Sequence, residues 1–225
     1  MVSAVEKQLI RIRAGSAQLE GMLEMPEDAA GVVLFAHGSG SSRFSPRNNH
    51  VAGVLQNAGI ATLLIDLLTE QEDRAAQARF DITLLTQRLD MAVDWLRQHE
   101  KTGAIPLGLF GASTGAAAAL QVAALRGREI AAVVSRGGRP DLAGQRALQK
   151  VVAPTLLVVG GLDDVVIRLN RAAYADLHSV KRFEIVPGAT HLFEEPGTLD
   201  AVAALARDWF LRHFSKPQQS ERANE

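Results

Sequence analysis

Three residues in this chain have the types and the order needed for nucleophilic acyl transfer: Ser113, Asp163 and His191. A serine hydroxyl is a weak nucleophile until a neighbouring base takes its proton, and the base needs an acid to hold its tautomer. Ser113 stands in Gly111-Ala112-Ser113-Thr114-Gly115, between the apolar stretch 107–110 and the small-residue run 116–120. A serine on a sharp strand-to-helix turn sits in strained backbone space, so the residues two before and two after it must lack bulk. Gly111 and Gly115 supply that, and the pattern predicts a nucleophile elbow. Glycine and serine also furnish ordinary strand–helix junctions, so the motif depends on its context of strand before and helix after.

The acid and the base are sought downstream. Asp163 closes the segment 159–163, directly after an apolar stretch, and His191 follows the apolar stretch 183–186 through Pro187-Gly188-Ala189-Thr190. Asp164 rivals Asp163, but it leads into Val165-Val166-Ile167 and could simply cap the next helix. Singly, each would pass for a turn residue. The chain order serine, aspartate, histidine differs from the orders of the chymotrypsin and subtilisin types.

The elements that must position them follow from periodicity. Two alternating segments, 8–13 and 18–25, joined through Ala14-Gly15-Ser16, predict an antiparallel hairpin at a sheet edge. Segments 32–36, 60–65, 107–110, 131–135, 155–159 and 183–186 are apolar or nearly so, as strands buried on both faces are. Helices are predicted over 49–57, 80–98, 166–177 and 199–214, behind the serine, and briefly after Asp141. In 80–98, Ile82, Leu85, Leu89, Ala92, Val93 and Leu96 share a face, while Gln87, Arg88, Asp90, Asp94 and Arg97 fall elsewhere. Strands alternating with helices imply an α/β fold with a mostly parallel sheet covered on both faces. Ligands of such sheets bind beyond the carboxyl ends of the strands. The polar loops 37–47, 112–115, 136–140, 160–164 and 187–192 all follow strands. No repeat or linker divides the chain, so 1–214 is expected as one domain and 215–225 as a polar tail that frays.

The bulk properties exclude several classes. At 225 residues the chain can bury roughly 70% of its unfolded surface without staples. It has no cysteine, which removes thiol catalysis, zinc–thiolate sites and disulfides together. A formal net charge of -1 argues against a nucleic-acid partner. No apolar run approaches the ~20 residues of a membrane span, and the N-terminus lacks a signal-peptide pattern, so a cytoplasmic location is expected. The run Gly38-Ser39-Gly40-Ser41-Ser42 lacks the G-x-x-x-x-G-K pattern of a phosphate cradle. No metal or organic cofactor is expected.

His37-Gly38-Ser39-Gly40, Gly111-Ala112-Ser113-Thr114-Gly115, Gly160-Gly161-Leu162-Asp163 and Gly188-Ala189-Thr190-His191 together resemble the α/β-hydrolase family over residues 8–214. Within it the chain looks most like the small dienelactone-hydrolase-related members. The resemblance implies an eight-stranded sheet with its second strand antiparallel, and the triad Ser113, Asp163 and His191. Dienelactone hydrolases proper carry cysteine where this chain has Ser113, so the dienelactone substrate is not carried over. Similar hydrolase domains also occur joined to a phosphoribosyltransferase-like domain, which is not expected within these residues.

An acyl-transfer site also needs N–H donors for the developing oxyanion. The Thr114 amide, at a helix N-terminus, is one candidate. The loop after Ala36 should supply the other, from Ser39 or alternatively Gly40; His37 shapes that loop, and His37 and Gly38 are also candidate substrate-binding residues. Arg43, Arg47, Arg136 and Arg139 fall on loops expected to ring Ser113, where guanidinium forks would recognise an anionic substrate. Equally, they could pair with Asp66, Asp141 or Glu194. About twenty residues between Ser135 and Thr155 leave no room for a large lid. Phe44, Leu192 and Phe193 could wall the pocket or join the core.

The expected activity is a serine hydrolase acting on a small ester, lactone or thioester through an acyl-enzyme. An acyl-peptide or amide hydrolase would use the same residues. A non-catalytic binding module on the same fold is the alternative from another class, since fold does not dictate function.

Overall fold

The structure is a computed structural model and describes residues 5–214; the expected tail at 215–225 lies outside the described residues. The chain opens with a hairpin of β1 (Val5–Ala14) and β2 (Ala17–Pro26), turned at Gly15 with φ 63°. Next come β3 (Val32–Ala36), α1 (Pro46–Asn57) and β4 (Ala61–Ile65). Two single-turn helices, α2 (Glu70–Asp73) and α3 (Ala76–Arg79), precede the long α4 (Ile82–Gln98). The central unit is β5 (Leu107–Ala112) and α5 (Thr114–Arg126). Then follow β6 (Ile130–Arg136), α6 (Gln145–Lys150), β7 (Thr155–Gly160), α7 (Asp164–Asp176), β8 (Lys181–Val186) and α8 (Thr198–Phe214).

All eight strands form one sheet in the order β1-β2-β4-β3-β5-β6-β7-β8. β2 runs antiparallel to both neighbours, and the remaining pairs are parallel. The expected hairpin at the edge and the antiparallel second strand are both present. β3 is entirely buried because helices cover both faces of the sheet there. Its side chains alternate: Val32, Leu34 and Ala36 join a core with α4 and α5, while Val33 and Phe35 join one with α1 and α8.

The chain leaves β3 in one direction, to β4, and returns on its other side as β5. Neighbouring connections therefore diverge at the carboxyl ends of β3 and β5, which opens the crevice where such sheets bind ligands. The segment 137–154 holds only a 3-10 turn (Pro140–Ala143) and the six-residue α6, so no large lid is evident. Among the described residues no helix is long and apolar enough to cross a membrane.

Candidate active site

Ser113 is held at φ 50° and ψ -121° between the end of β5 and the start of α5. For a residue with a Cβ this backbone region is costly, by about 1–3 kcal/mol, and survives only when the surroundings enforce it. Here they do. Ser113 N–H donates to Arg136 O on β6 at 3.2 Å, and Ser113 O accepts from Ala116 N at 3.1 Å and Arg139 N at 3.0 Å. The two flanking glycines are needed for contact rather than for unusual dihedrals. A Cβ at Gly111 would stand 2.3 Å from Ala116 Cα, and one at Gly115 would stand 2.2 Å from Ala36 O. The elbow is thus the point at which β3, β5 and α5 meet most closely.

His191 lies in the loop between β8 and α8, and its Nδ1 is 2.6 Å from Asp163 Oδ2. With the carboxylate accepting from Nδ1–H, the lone pair of Nε2 is left for another group. Asp163 also caps α7, its Oδ1 accepting from Val166 N–H at 3.4 Å. The capping expected of Asp164 therefore belongs to Asp163, and Asp164 is an exposed first residue of the helix. The histidine loop is pinned around its base: Phe193 is buried in the core with φ 56°, and Thr190 N–H donates to Glu195 at 3.0 Å. A Cβ at Gly137 would lie 3.6 Å from His191 Cε1, and Gly137 follows the residue that bonds the Ser113 amide. Ser113, His191 and Asp163 thus converge at the ends of β5, β7 and β8. No hydrogen bond joins Ser113 Oγ to His191 in this structure, and such contacts are often long in ligand-free sites.

The loop after β3 crosses Ser113, where a Cβ at Gly38 would stand 3.0 Å from Ser113 Cβ. His37 fixes that loop from below. Its Nδ1 pairs with Gly38 O at 3.0 Å and its Nε2 accepts from Leu67 N–H at 3.0 Å. Burial lowers its pKa, which keeps the ring neutral as that pair of bonds requires. The Thr114 amide, at the first position of α5, has no intrahelical acceptor. The Ser39 amide, expected to be open to an oxyanion, instead donates to Thr114 Oγ1 at 3.0 Å. Ser39 and Gly40 are the central residues of a turn closed by Ser41 N–H to Gly38 O at 3.2 Å.

The four arginines sort into two kinds. Arg43 pairs with Asp66 and, at 2.7 Å, with Glu20, and its guanidinium lies 4.3 Å over the exposed ring of Phe44. Arg139 makes a two-pronged pair with Asp141 at 2.9 and 2.8 Å. Arg47 pairs with Glu194 at 3.1 Å. Three of the four therefore have the carboxylate partners that the sequence offered, and through them Arg43 and Arg139 brace their loops. Arg136 has no such partner. Of the expected wall residues, Phe193 is core, while Leu192 is exposed beside His191. A cleft of about 410 Å³ beside the β3 loop is lined by Arg43 but also by Glu20, Asp66, Glu70 and Asp73, an acidic setting distinct from the triad. Among the described residues no group of three or more His, Asp or Glu side chains is placed to hold a metal ion.

Residues 29–205 match an alpha/beta hydrolase domain family. A solved dienelactone hydrolase from Anabaena variabilis is 54% identical and superposes with a TM-score of 0.90, covering 93% of this chain and 98% of that one. The chain belongs to the α/β-hydrolase family. Within the α/β hydrolases it is dienelactone-hydrolase-related, and the family supports hydrolase activity. Est1E from Butyrivibrio proteoclasticus shares the α/β-hydrolase fold at 16% identity and a TM-score of 0.80, covering 92% of this chain and 99% of that one. A Mycobacterium tuberculosis protein whose name describes a phosphoribosyl transferase is 54% identical over 211 residues. The match takes in 94% of this α/β hydrolase but 47% of the relative, so the chain spans about half that protein's length.

Proposed function

We propose that this protein is a serine hydrolase that cleaves a small ester, lactone or thioester through an acyl-enzyme. The observation that carries the reading is the 2.6 Å contact of His191 Nδ1 with Asp163, which leaves Nε2 for the strained serine at the elbow. In the first half-reaction Ser113 Oγ attacks the carbonyl carbon and its proton passes to His191 Nε2. Collapse of the tetrahedral adduct expels the alcohol or thiol, which leaves with that proton. Water, deprotonated by the same nitrogen, then attacks the acyl carbon, and the acid departs as Ser113 recovers its proton.

The Thr114 amide is the first donor to the oxyanion, held at the start of α5 where the helix dipole adds to it. The turn after His37 supplies the second. Ser39 N–H rests on a neutral hydroxyl, Thr114 Oγ1, and hydrogen bonds to ionised acceptors are about twice as strong as neutral ones. A developing oxyanion therefore draws the Ser39 amide away from Thr114. Gly40 N–H is the alternative donor on the same turn.

Pre-steady-state hydrolysis of 4-nitrophenyl acetate tests the reading. A burst of one nitrophenolate per chain, absent in Ser113→Ala and His191→Ala, is expected. Equal turnover in wild type and Ser113→Ala would overturn it, and no turnover of any activated ester would favour a binding module instead.

A further inference from the structure

The helix that Asp163 caps, α7, turns a narrow face to the rest of the molecule. Its buried residues are Val166, Asn170 and Ala173, whose spacing of four and then three stacks them along one stripe. The centre of that stripe is an amide. Asn170 is wholly buried, asparagine is a poor former of helix interiors, and its Oδ1 meets no partner. A buried acceptor left unsatisfied is costly, and leucine would occupy the same place without that cost. Stability alone does not account for the amide.

The Nδ2 group supplies what no apolar side chain could. It donates to Val166 O in its own helix at 2.8 Å and to Gly138 O at 2.9 Å. The second bond leaves the helix for the segment 136–139 after β6, and that segment meets both Ser113 and His191. Arg136 O accepts from Ser113 N–H, and Arg139 N–H donates to Ser113 O. A Cβ at Gly137 would lie 3.2 Å from His191 O and 3.6 Å from its Cε1. Gly138 is packed without clearance: a Cβ there would stand 2.0 Å from Ser135 Oγ and 2.6 Å from Ala116 Cβ, in the first turn of α5. One side chain thus joins the helix of the acid to the segment that braces the serine and abuts the base.

We propose that Asn170 is a positioning residue, whose bond to Gly138 holds α7, and Asp163 at its start, in register with His191 and Ser113. This rests on the hydrolase reading above. Asn170 acts only through the placement of the Asp163 carboxylate. The hydrogen bonds that hold the elbow do not pass through it, so its loss displaces the acid and leaves the strained serine as it is.

Two variants test this by hydrolysis of 4-nitrophenyl acetate. Asn170→Leu removes both bonds and fills the space. Asn170→Ser keeps a hydroxyl able to bond Val166 O within the helix but too short to reach Gly138. Both should lower kcat about ten- to a hundredfold, as a misplacement of about 1 Å does, with KM within about twofold of wild type. Thr102→Val is the control for lost stability. Its buried hydroxyl donates to Leu96 O at 2.6 Å in the turn between α4 and β5, at the end of the sheet away from Ser113. That variant should lower Tm and leave kcat unchanged. In an Asp163→Asn background Asn170→Leu should cost little more, because the carboxylate it places is already gone. Wild-type kcat in Asn170→Ser, an equal loss in Thr102→Val, or losses that multiply in the double variant overturn the proposal.

A second readout does not depend on turnover. The proton shared by His191 Nδ1 and Asp163 Oδ2 across 2.6 Å should give a low-field resonance in proton NMR, identified by its loss in His191→Ala. That resonance should move upfield in Asn170→Ser, as the contact lengthens, and stay in place in Thr102→Val. A resonance unmoved in Asn170→Ser, or missing from wild type, overturns the proposal. A movement that Asn170 controls, in a protein that cleaves no ester, upholds the positioning of the pair and overturns the hydrolase reading.

Discussion

Asp163 does two jobs through two different oxygens, and substitutions separate them. Its Oδ2 holds His191 Nδ1 at 2.6 Å, while its Oδ1 caps α7 through a longer bond of 3.4 Å to Val166 N–H. Asparagine caps helices about as well as aspartate. Asp163→Asn should therefore keep the stability but lose the negative charge that stabilises the imidazolium and sets its tautomer. Two unit charges about 4 Å apart at an effective dielectric of about 20 interact by about 4 kcal/mol, equivalent to about a thousandfold in rate. Exposure of His191 screens part of that, and a wrong tautomer adds to the loss, as seen where the same exchange costs about 10⁴ in other triads. The expected fall in kcat/KM is at least about a hundredfold, with Tm nearly unchanged. Asp163→Ala should show the same kinetic loss and a further drop of about 2–4 °C from the missing cap, worth about 1 kcal/mol. Ester turnover and differential scanning fluorimetry on the same preparations check both. Activity within about tenfold of wild type in Asp163→Asn, or a comparable loss in Asp164→Asn, would refute the assignment.

Three further perturbations follow from the geometry. Ser113→Gly removes the Cβ from a backbone region that favours glycine, and should raise stability by about 1 kcal/mol over Ser113→Ala while both lack ester turnover. His37→Phe leaves Leu67 N–H without its acceptor and should cost about 1–3 kcal/mol in denaturant melts. Because burial lowers the folded pKa of His37, its contribution is present above its ordinary value of 6.5 and is lost as pH falls below it. That lost stability should be smaller in His37→Phe. Glu72 is held at a pKa of about 2, chiefly by Arg88, so its stabilisation is present above pH ~4.5 and fades as pH falls towards 2. Glu72→Gln should cost about 1–2 kcal/mol at neutral pH, after screening of the partly exposed carboxylate, and remove that acid sensitivity.

Where burial and period decide the outcome, sequence and structure agree. The apolar strands, the alternating hairpin and the elbow all stand within a few residues of their expected bounds, because each is dictated by its own composition. The strand-end positions of Ser113, Asp163 and His191 are legible for the same reason, each following a strand. The departures share a different cause. Arg88 reads as part of the polar face of α4, yet it is buried by Glu72 and the Leu67 carbonyl, from a segment whose single-turn helices have no periodic signal. The partners of Arg43, Arg47 and Arg139 include residues up to 147 positions away, and no local pattern reports which pairs form. The Ser39 contact with Thr114 spans 75 positions and depends on a side-chain rotamer. Arg136 differs from the other arginines only by what it fails to meet, and that appears only when all of their partners are placed.

The central claim is that Ser113 is a nucleophile activated by His191. A fluorophosphonate reacts with a serine only when its hydroxyl is activated, and the adduct can be located by mass spectrometry of peptides. The account predicts one adduct per chain, on Ser113, and none in His191→Ala. An adduct on another residue, or a folded wild type that takes no label, would contradict it.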